Sequence, residues 1–178
     1  MKNKICKLIL STLFITGVGF PLQAQPNGGQ NVAYQDNTVR ISMITDGVVR
    51  LEYVPDGKFV NDHSFVAVNR DYPKVNYLVK NSGKNVEIRT AKMIVKYLKG
   101  TGKFTADNLS ITSVKGKNVQ PFAWKPGTVQ KGNLKGTYRT LDGYDGEINV
   151  GSKKPMPIED GLLSTGGWTL IDDSKSFL

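Results

Sequence analysis

The chain has 178 residues, of which 22% are charged and 39% hydrophobic, with 24 lysine and arginine residues against 15 acidic ones. This length is enough for one domain with a hydrophobic core, and the composition excludes a fully disordered chain and a bundle of membrane-spanning helices. The lysines are spread along the chain instead of forming a dense patch, so we predict a solvated basic surface and no nucleic-acid partner.

The first 24 residues have the pattern of a secretory signal peptide. Lys2, Lys4 and Lys7 precede a mostly apolar run over residues 8–20, and Ala24 is a small residue at the predicted cleavage point. The apolar run is shorter than the roughly 20 residues that a membrane-spanning helix needs. We therefore predict a secreted or periplasmic protein without a stable membrane span.

Cleavage after Ala24 removes three of the 24 basic residues and leaves 21 against 15 acidic ones. It also removes Cys6, the single cysteine of the chain. The mature chain would then have neither a disulfide nor a thiol nucleophile, so packing has to supply its stability.

The elements that follow are predicted to be strands. Residues 25–37 contain proline and glycine and are predicted to form a flexible lead-in to a domain over residues 38–178. Val39–Thr45 and residues 48–54 then alternate apolar and polar side chains on either side of an Asp-Gly turn, which is typical of a hairpin. Each of its strands is expected to have one core face and one wet face.

Further short apolar runs predict more strands. A single strand is expected at residues 65–68, a second hairpin at 77–80 and 86–89, and a third at 93–97 and 109–112. No window keeps a helical period of apolar residues over three turns, so we predict an all-β fold, either a sandwich or a barrel. After Lys115 the strand pattern gives way to glycine and proline, which predict long loops.

The loop-rich last part contains several unrelated residue types in a fixed order. They are Asn133-Leu134-Lys135-Gly136-Thr137-Tyr138-Arg139-Thr140-Leu141-Asp142-Gly143, then Gly161-Leu162-Leu163-Ser164, Trp168 and Ile171-Asp172-Asp173-Ser174. This order resembles the end of the N-terminal β-domain of glycoside hydrolase family 31, which contains α-glucosidases, α-xylosidases and related transglycosylases. The resemblance covers most of the chain after the leader, from the hairpin at residues 48–53 through 65–70. The chain departs from the family at Lys135, where a second glycine is frequent, and at residues 165–167, where Thr-Gly-Gly replaces a frequent Arg-Asp-Gly.

The resemblance implies a galactose-mutarotase-like antiparallel β-sandwich that is incomplete at its C-terminus. In the family this domain leads into a (β/α)₈ barrel that holds the two catalytic aspartates, so no catalytic residue is carried over to this chain. Retaining glycosidases use two carboxylates about 5–5.5 Å apart, and the sequence does not place any two acids across a sugar. The implied partners are the barrel and an oligosaccharide or α-glycoside substrate, and no cofactor is expected.

Three residues are candidates for substrate binding, namely Trp168, Asp172 and Asp173. An aromatic face covers the apolar C–H groups of a sugar while carboxylates bind its hydroxyls. The alternative is that the aspartates accept backbone N–H bonds in a turn beside Ser174. Trp124 is expected to be a core residue.

Arg139 and Asp142 are candidates for interdomain contact, as a charged clasp on the barrel, with an internal ion pair as the alternative. His63 is the single histidine and has no second soft ligand in the mature chain, so we predict no metal site. Residues 142–147 are rich in acids and glycine but lack the full ligand order of a calcium loop.

Two function classes therefore remain. The chain is either the N-terminal, non-catalytic domain of a secreted α-glycosidase, or a free-standing secreted β-sandwich that binds carbohydrate. Residues 176–178 end the sequence on apolar side chains, which favours the first class and predicts missing strands, unpaired strand edges and marginal stability in isolation.

Overall fold

A computed structural model describes residues 31–135 and 160–174. Within these ranges the regular elements are all strands, and every strand pair is antiparallel. The predicted all-β class is confirmed, whereas the sandwich arrangement and the incomplete C-terminus stay predictions. The described part of the chain has no helix long and apolar enough to cross a membrane. The predicted signal peptide lies outside the described residues.

The described strands form two sheets, and in each sheet neighbouring strands are consecutive along the chain. The smaller sheet has the order β1-β2-β3 and consists of β1 (Val32–Gln35), β2 (Val39–Thr45) and β3 (Val48–Tyr53). The larger has the order β4-β5-β6-β7-β8 and consists of β4 (Leu78–Ser82), β5 (Asn85–Arg89), β6 (Met93–Leu98), β7 (Leu109–Ser113) and β8 (Ala123–Trp124). Both sheets are therefore built from hairpins.

The three predicted hairpins are all present. In the first, β2 and β3 pair from Thr45↔Val48 at the turn to Val39↔Tyr53 at the open end. The second has a tighter turn than predicted, because β4 and β5 extend to a Ser82↔Asn85 pair. Gly83 closes that turn with φ of 52°, a left-handed backbone that glycine adopts without steric cost. In the third hairpin, β6 pairs with β7 across a longer loop.

Residues 32–35 of the predicted flexible lead-in over residues 25–37 form strand β1, and residues 25–30 lie outside the described residues. The pairing of β1 with β2 shifts register between Val32 and Tyr34, and this bulge hides the alternation that marks a strand in the sequence. Asn31 anchors the start of the strand. Its buried side chain donates to Pro73 O at 2.7 Å and accepts from Val75 N at 3.0 Å.

The strand predicted at residues 65–68 is wrong. Ser64 and Ala67 exchange backbone hydrogen bonds of 3.2 and 3.1 Å, so the chain reverses there and does not extend. Phe65, Val66 and Val68 are consequently exposed to solvent. Strand β8 was not predicted, because its two residues are too few to show the alternation of a strand.

Both sheets contribute to one hydrophobic core. Its fully buried side chains recur at every second position of the strands: Val39, Ile41 and Met43 on β2, Val86 and Ile88 on β5, and Val95 and Tyr97 on β6. Burial of each such side chain is worth about 1.5–3 kcal/mol, so this cluster is the main stabilising feature of the domain.

The second face of β2 is buried as well, which corrects the expectation of a wet face. Arg40 and Ser42 are only 7% and 6% exposed. The loop after β3 covers Arg40, with Phe59 lying 4.8 Å from its guanidinium and Val60 and Asn61 accepting hydrogen bonds from it. This loop is held by polar contacts that strand periodicity does not reveal.

The turn between β1 and β2 is organised by Asp36. Its carboxylate accepts the backbone N–H groups of Thr38 and Val39 at 2.9 and 2.8 Å, and the hydroxyl of Tyr34 at 2.9 Å. Burial alone would raise the pKa of Asp36, but these hydrogen bonds outweigh it and lower the pKa below its usual 3.8. Burial and the Asp36 carboxylate both raise the pKa of the Tyr34 hydroxyl.

We predict that Asp36→Asn lowers the free energy of unfolding at pH 7 by about 1 kcal/mol, because the anionic acceptor is lost. A carboxylate with a lowered pKa stabilises the fold above its unfolded pKa, and that contribution disappears as pH falls through the folded pKa. The difference between wild type and variant should therefore shrink on acidification. Urea unfolding from pH 7 to about pH 2 measures this, with Asp107→Asn on an exposed loop as control. A difference that stays constant with pH would contradict the assignment.

Candidate functional site

The structure describes three of the five predicted site residues. Trp168, Asp172 and Asp173 lie in the segment 160–174. Arg139 and Asp142 lie outside the described residues, so the predicted interdomain clasp stays a prediction.

Segment 160–174 is held against residues 130–135 by backbone and side-chain hydrogen bonds. Leu134 N donates to Leu163 O at 2.9 Å, and Thr165 N donates to Gly132 O at 3.0 Å. The Asn133 side chain bonds both backbone groups of Gly161 at 2.9 Å. Two parts of the predicted loop region therefore act as one unit.

Glycines make this close approach possible. A Cβ added to Gly132 would lie 2.0 Å from Thr165 Oγ1, and one added to Gly167 would lie 2.6 Å from Gln120 Cγ. Both glycines have φ of 75°, which side-chain-bearing residues rarely adopt. The Thr-Gly-Gly sequence at residues 165–167 thus has a packing role in this chain.

Trp168 is half-buried and packs against the hydrophobic core. Its ring lies edge-on to Trp124, with centroids 6.4 Å apart and planes at 60°. Its backbone carbonyl accepts a hydrogen bond from Gln130 Nε2 at 2.8 Å. Trp124 is buried, as predicted, and its Nε1 has no hydrogen-bond partner in the structure described.

The two aspartates have different surroundings. Asp172 is exposed and its carboxylate accepts Ser174 N at 3.0 Å, which is the local turn expected as the alternative to a binding role. Asp173 is half-buried and bonds residues more than 100 positions away: its Oδ2 accepts Ser64 Oγ at 2.7 Å and lies 3.5 Å from Arg70 Nη2. Asp173 therefore ties segment 160–174 to the loop after β3, and substrate binding by the three predicted residues stays a prediction.

Three arginines that the sequence did not single out lie close together in this region. Arg40 Nε and Nη2 each lie 2.7 Å from a carboxylate oxygen of Glu52 on the neighbouring strand. Arg50 Nη2 lies 2.9 Å from the same carboxylate. The β2–β3 register, which pairs Arg40 with Glu52, is the sequence signal that would have found this contact.

Three consecutive loop residues bring the arginines together. Val60 O accepts from Arg40 at 3.2 Å and from Arg50 at 3.5 Å, and Asn61 Oδ1 accepts from Arg40 at 2.9 Å. The next residue, Asp62, accepts from Arg70 Nε at 2.6 Å through its backbone oxygen. We call Arg40, Arg50 and Arg70 the arginine cluster.

The arginine cluster has an electrostatic consequence for Arg50. Burial lowers the pKa of its guanidinium, the Glu52 carboxylate opposes that effect, and the charges of Arg70 and Arg40 lower the pKa further. Arg50 is thus a partly buried cation beside two other cations.

Exposed apolar side chains flank Ser64 and Asp173 in the sequence, on the two loops that the Ser64–Asp173 contact joins. They are 46% to 74% exposed and we call them the apolar loop surface: Phe65, Val66, Val68, Leu170 and Ile171. Patches of this kind mark interaction sites in soluble proteins.

His63 bonds Val68 O through Nδ1, so it has a loop role. Within residues 31–135 and 160–174 there is no group of three or more histidine, cysteine or acidic side chains that could hold a metal ion. Comparison with protein-family models and with curated proteins finds no match.

We predict that Gly132→Ala detaches segment 160–174, because the new Cβ collides with Thr165 and the backbone is strained. Gly127→Ala is the matched control, since Gly127 has φ of 85° and nothing within 4 Å of an added Cβ. Both variants pay about 1 kcal/mol for the left-handed backbone. Only Gly132→Ala should speed hydrogen exchange at the Leu134 and Thr165 amides. Equal exchange in both variants would contradict the close-approach role.

We predict that Asp173→Ala is coupled to Ser64→Ala and that Asp172→Ala is not, because Asp173 Oδ2 accepts the Ser64 hydroxyl. A double-mutant cycle with Ser64→Ala should give a coupling of about 1 kcal/mol for Asp173 and almost none for Asp172. Urea unfolding supplies the free energies. A vanishing Ser64–Asp173 coupling would show that the contact does not hold the two loops together.

Proposed function

We propose that the chain is the non-catalytic N-terminal β-domain of a secreted α-glycosidase similar to glycoside hydrolase family 31, and that it packs on a catalytic (β/α)₈ barrel. The ordered motifs of residues 133–143 and 161–174 support this assignment from the sequence. The all-β antiparallel fold is compatible with the galactose-mutarotase-like sandwich that the resemblance implies. Hydrolysis of O-glycosyl bonds would belong to the barrel.

The observation that carries the docking part of the proposal is the apolar loop surface. Its side chains are large, apolar and at least 46% exposed, on loops that the Ser64–Asp173 contact holds together. Their removal from water on docking would contribute about 25 cal/mol for each Å² buried. A partner that covers them is therefore energetically favoured, and the barrel of the parent enzyme is the partner that the motifs imply.

The predicted site residues take defined roles in this proposal. Asp173 holds the loop surface in place through Ser64 and Arg70. Asp172 is exposed and is proposed to lie at the edge of the barrel's pocket, and Trp168 supports the segment that carries it. Arg139 and Asp142 are proposed to contact the barrel.

The second candidate is a free-standing carbohydrate-binding domain. The observation in its favour is the half-buried ring of Trp168, which lies edge-on to the buried Trp124. Partly exposed aromatic rings suit sugar recognition. This candidate requires binding without any barrel.

We predict that the chain associates with a family 31 barrel polypeptide encoded at the same locus and restores its activity on p-nitrophenyl α-glucoside or α-xyloside. Phe65→Ser and Ile171→Ser should weaken association tenfold or more, because each removes a large apolar side chain from the interface. Leu78→Ser on β4 removes an apolar residue of intermediate exposure, 64% against 74% for Phe65 and 46% for Ile171, outside the apolar loop surface and should have no effect.

Association is measured by light scattering and activity by release of nitrophenol. A barrel that is fully active alone and does not bind the chain would contradict the proposal. Saturable binding of maltose by the chain without any barrel would favour the carbohydrate-binding candidate instead.

A further inference from the structure

We propose that the arginine cluster is a binding site for the carboxylate of a small acidic ligand, with Arg50 as the residue that contacts it. That the ligand is an acidic saccharide rests on the proposed function. The charge, donor and exposure data for the cluster support the site independently of that assignment.

The first step concerns charge. The three guanidinium groups face two carboxylates to which they bond, those of Glu52 and Asp173. Asp62 contributes its backbone oxygen to the cluster, and its carboxylate makes no ion pair within the described residues. Among the described residues, three guanidinium groups thus share two carboxylates, and this excess of one positive charge matches a singly charged anion better than a doubly charged one.

The second step concerns hydrogen-bond donors. Arg40 uses Nε and Nη2, and Arg70 uses Nε and Nη2, on acceptors of the protein. Within the described ranges all contacts of Arg50 run through Nη2, to Glu52 and Val60. Its Nε–H and Nη1–H donors are left for a ligand, and charge-assisted bonds from them to a carboxylate are the strong kind.

The third step concerns access and rigidity. The Arg50 side chain is 24% exposed, whereas those of Arg40 and Arg70 are 8% and 11% exposed. Arg50 is thus the member of the cluster that a ligand reaches, and the two buried arginines fix the loop beside it. Partial burial also strengthens its attraction for an anion relative to a fully solvated lysine. The pKa of Arg50 is lowered first by this partial burial and then by the charges of Arg70 and Arg40.

The test is isothermal titration calorimetry of the full chain with sodium glucuronate, at constant ionic strength maintained with chloride. Glucose is the neutral control, acetate carries the carboxylate without the sugar, and glucose 6-phosphate carries a doubly charged group. We expect saturable binding of glucuronate and none of glucose. Arg50→Gln should weaken binding tenfold or more, a loss of about 1.4 kcal/mol.

Arg89→Gln on β5 is the matched control, because it removes the same charge from an exposed position and should leave the affinity unchanged. Arg50→Lys keeps the charge without the Nε and Nη1 donors and should bind glucuronate more weakly than wild type. Thermal unfolding shows whether each variant folds, and Arg50→Lys replaces Arg50→Gln as the test if Arg50→Gln does not fold. Equal weakening by Arg89→Gln, or no saturable heat with glucuronate and acetate, would overturn the site.

The titrations with acetate and glucose 6-phosphate test the carboxylate site separately from the proposed function. Acetate that binds as tightly as glucuronate would support the carboxylate site and overturn the saccharide assignment. Tighter binding of glucose 6-phosphate than of glucuronate would overturn the preference for a single charge.

Discussion

The structure of the loop after β3, and of the segments that contact it, depends on one buried cation, Arg40. Arg40 lies on β2, the central strand of the smaller sheet, and its side chain is 8% exposed. A guanidinium taken from water is costly unless paired and hydrogen-bonded, and here Glu52, Val60 and Asn61 supply the acceptors while Phe59 covers the planar group. Satisfying Arg40 therefore fixes the path of the loop after β3.

That fixed loop determines what lies next to it. Because residues 60–62 also accept from Arg50 and Arg70, the three cations converge in one place. Arg70 and Ser64 then hold Asp173, which attaches segment 160–174 to the same loop. The positions of the apolar loop surface and of Arg50 are thus consequences of one polar network. Both proposals draw on this network, one for docking and one for anion binding.

Strand alternation with clear turn residues was enough to predict the hairpins β2–β3, β4–β5 and β6–β7, because local sequence dominates there. These patterns failed to predict the structure where contacts between distant parts of the chain determine it. Strand β1 is disguised by its bulge and depends on the Asn31 contacts to residues 73–75. Residues 65–68 have the composition of a strand but turn back at Ala67. For the candidate site, the sequence predicted which residue types take part but not their contacts, because Ser64 lies more than 100 residues from Asp173 in the sequence. The arginine cluster could not be predicted, because it depends on the path of the loop after β3, which no local pattern specifies.

The central claim is that this β-domain belongs to an α-glycosidase whose chemistry lies in a barrel. The most direct measurement is to sequence the coding DNA downstream of the Leu178 codon in its native locus and translate it. The account predicts an open frame that continues into a long region of alternating strand and helix patterns with two aspartates suited to catalysis. A stop codon at that point, with no such region in the locus, would contradict it.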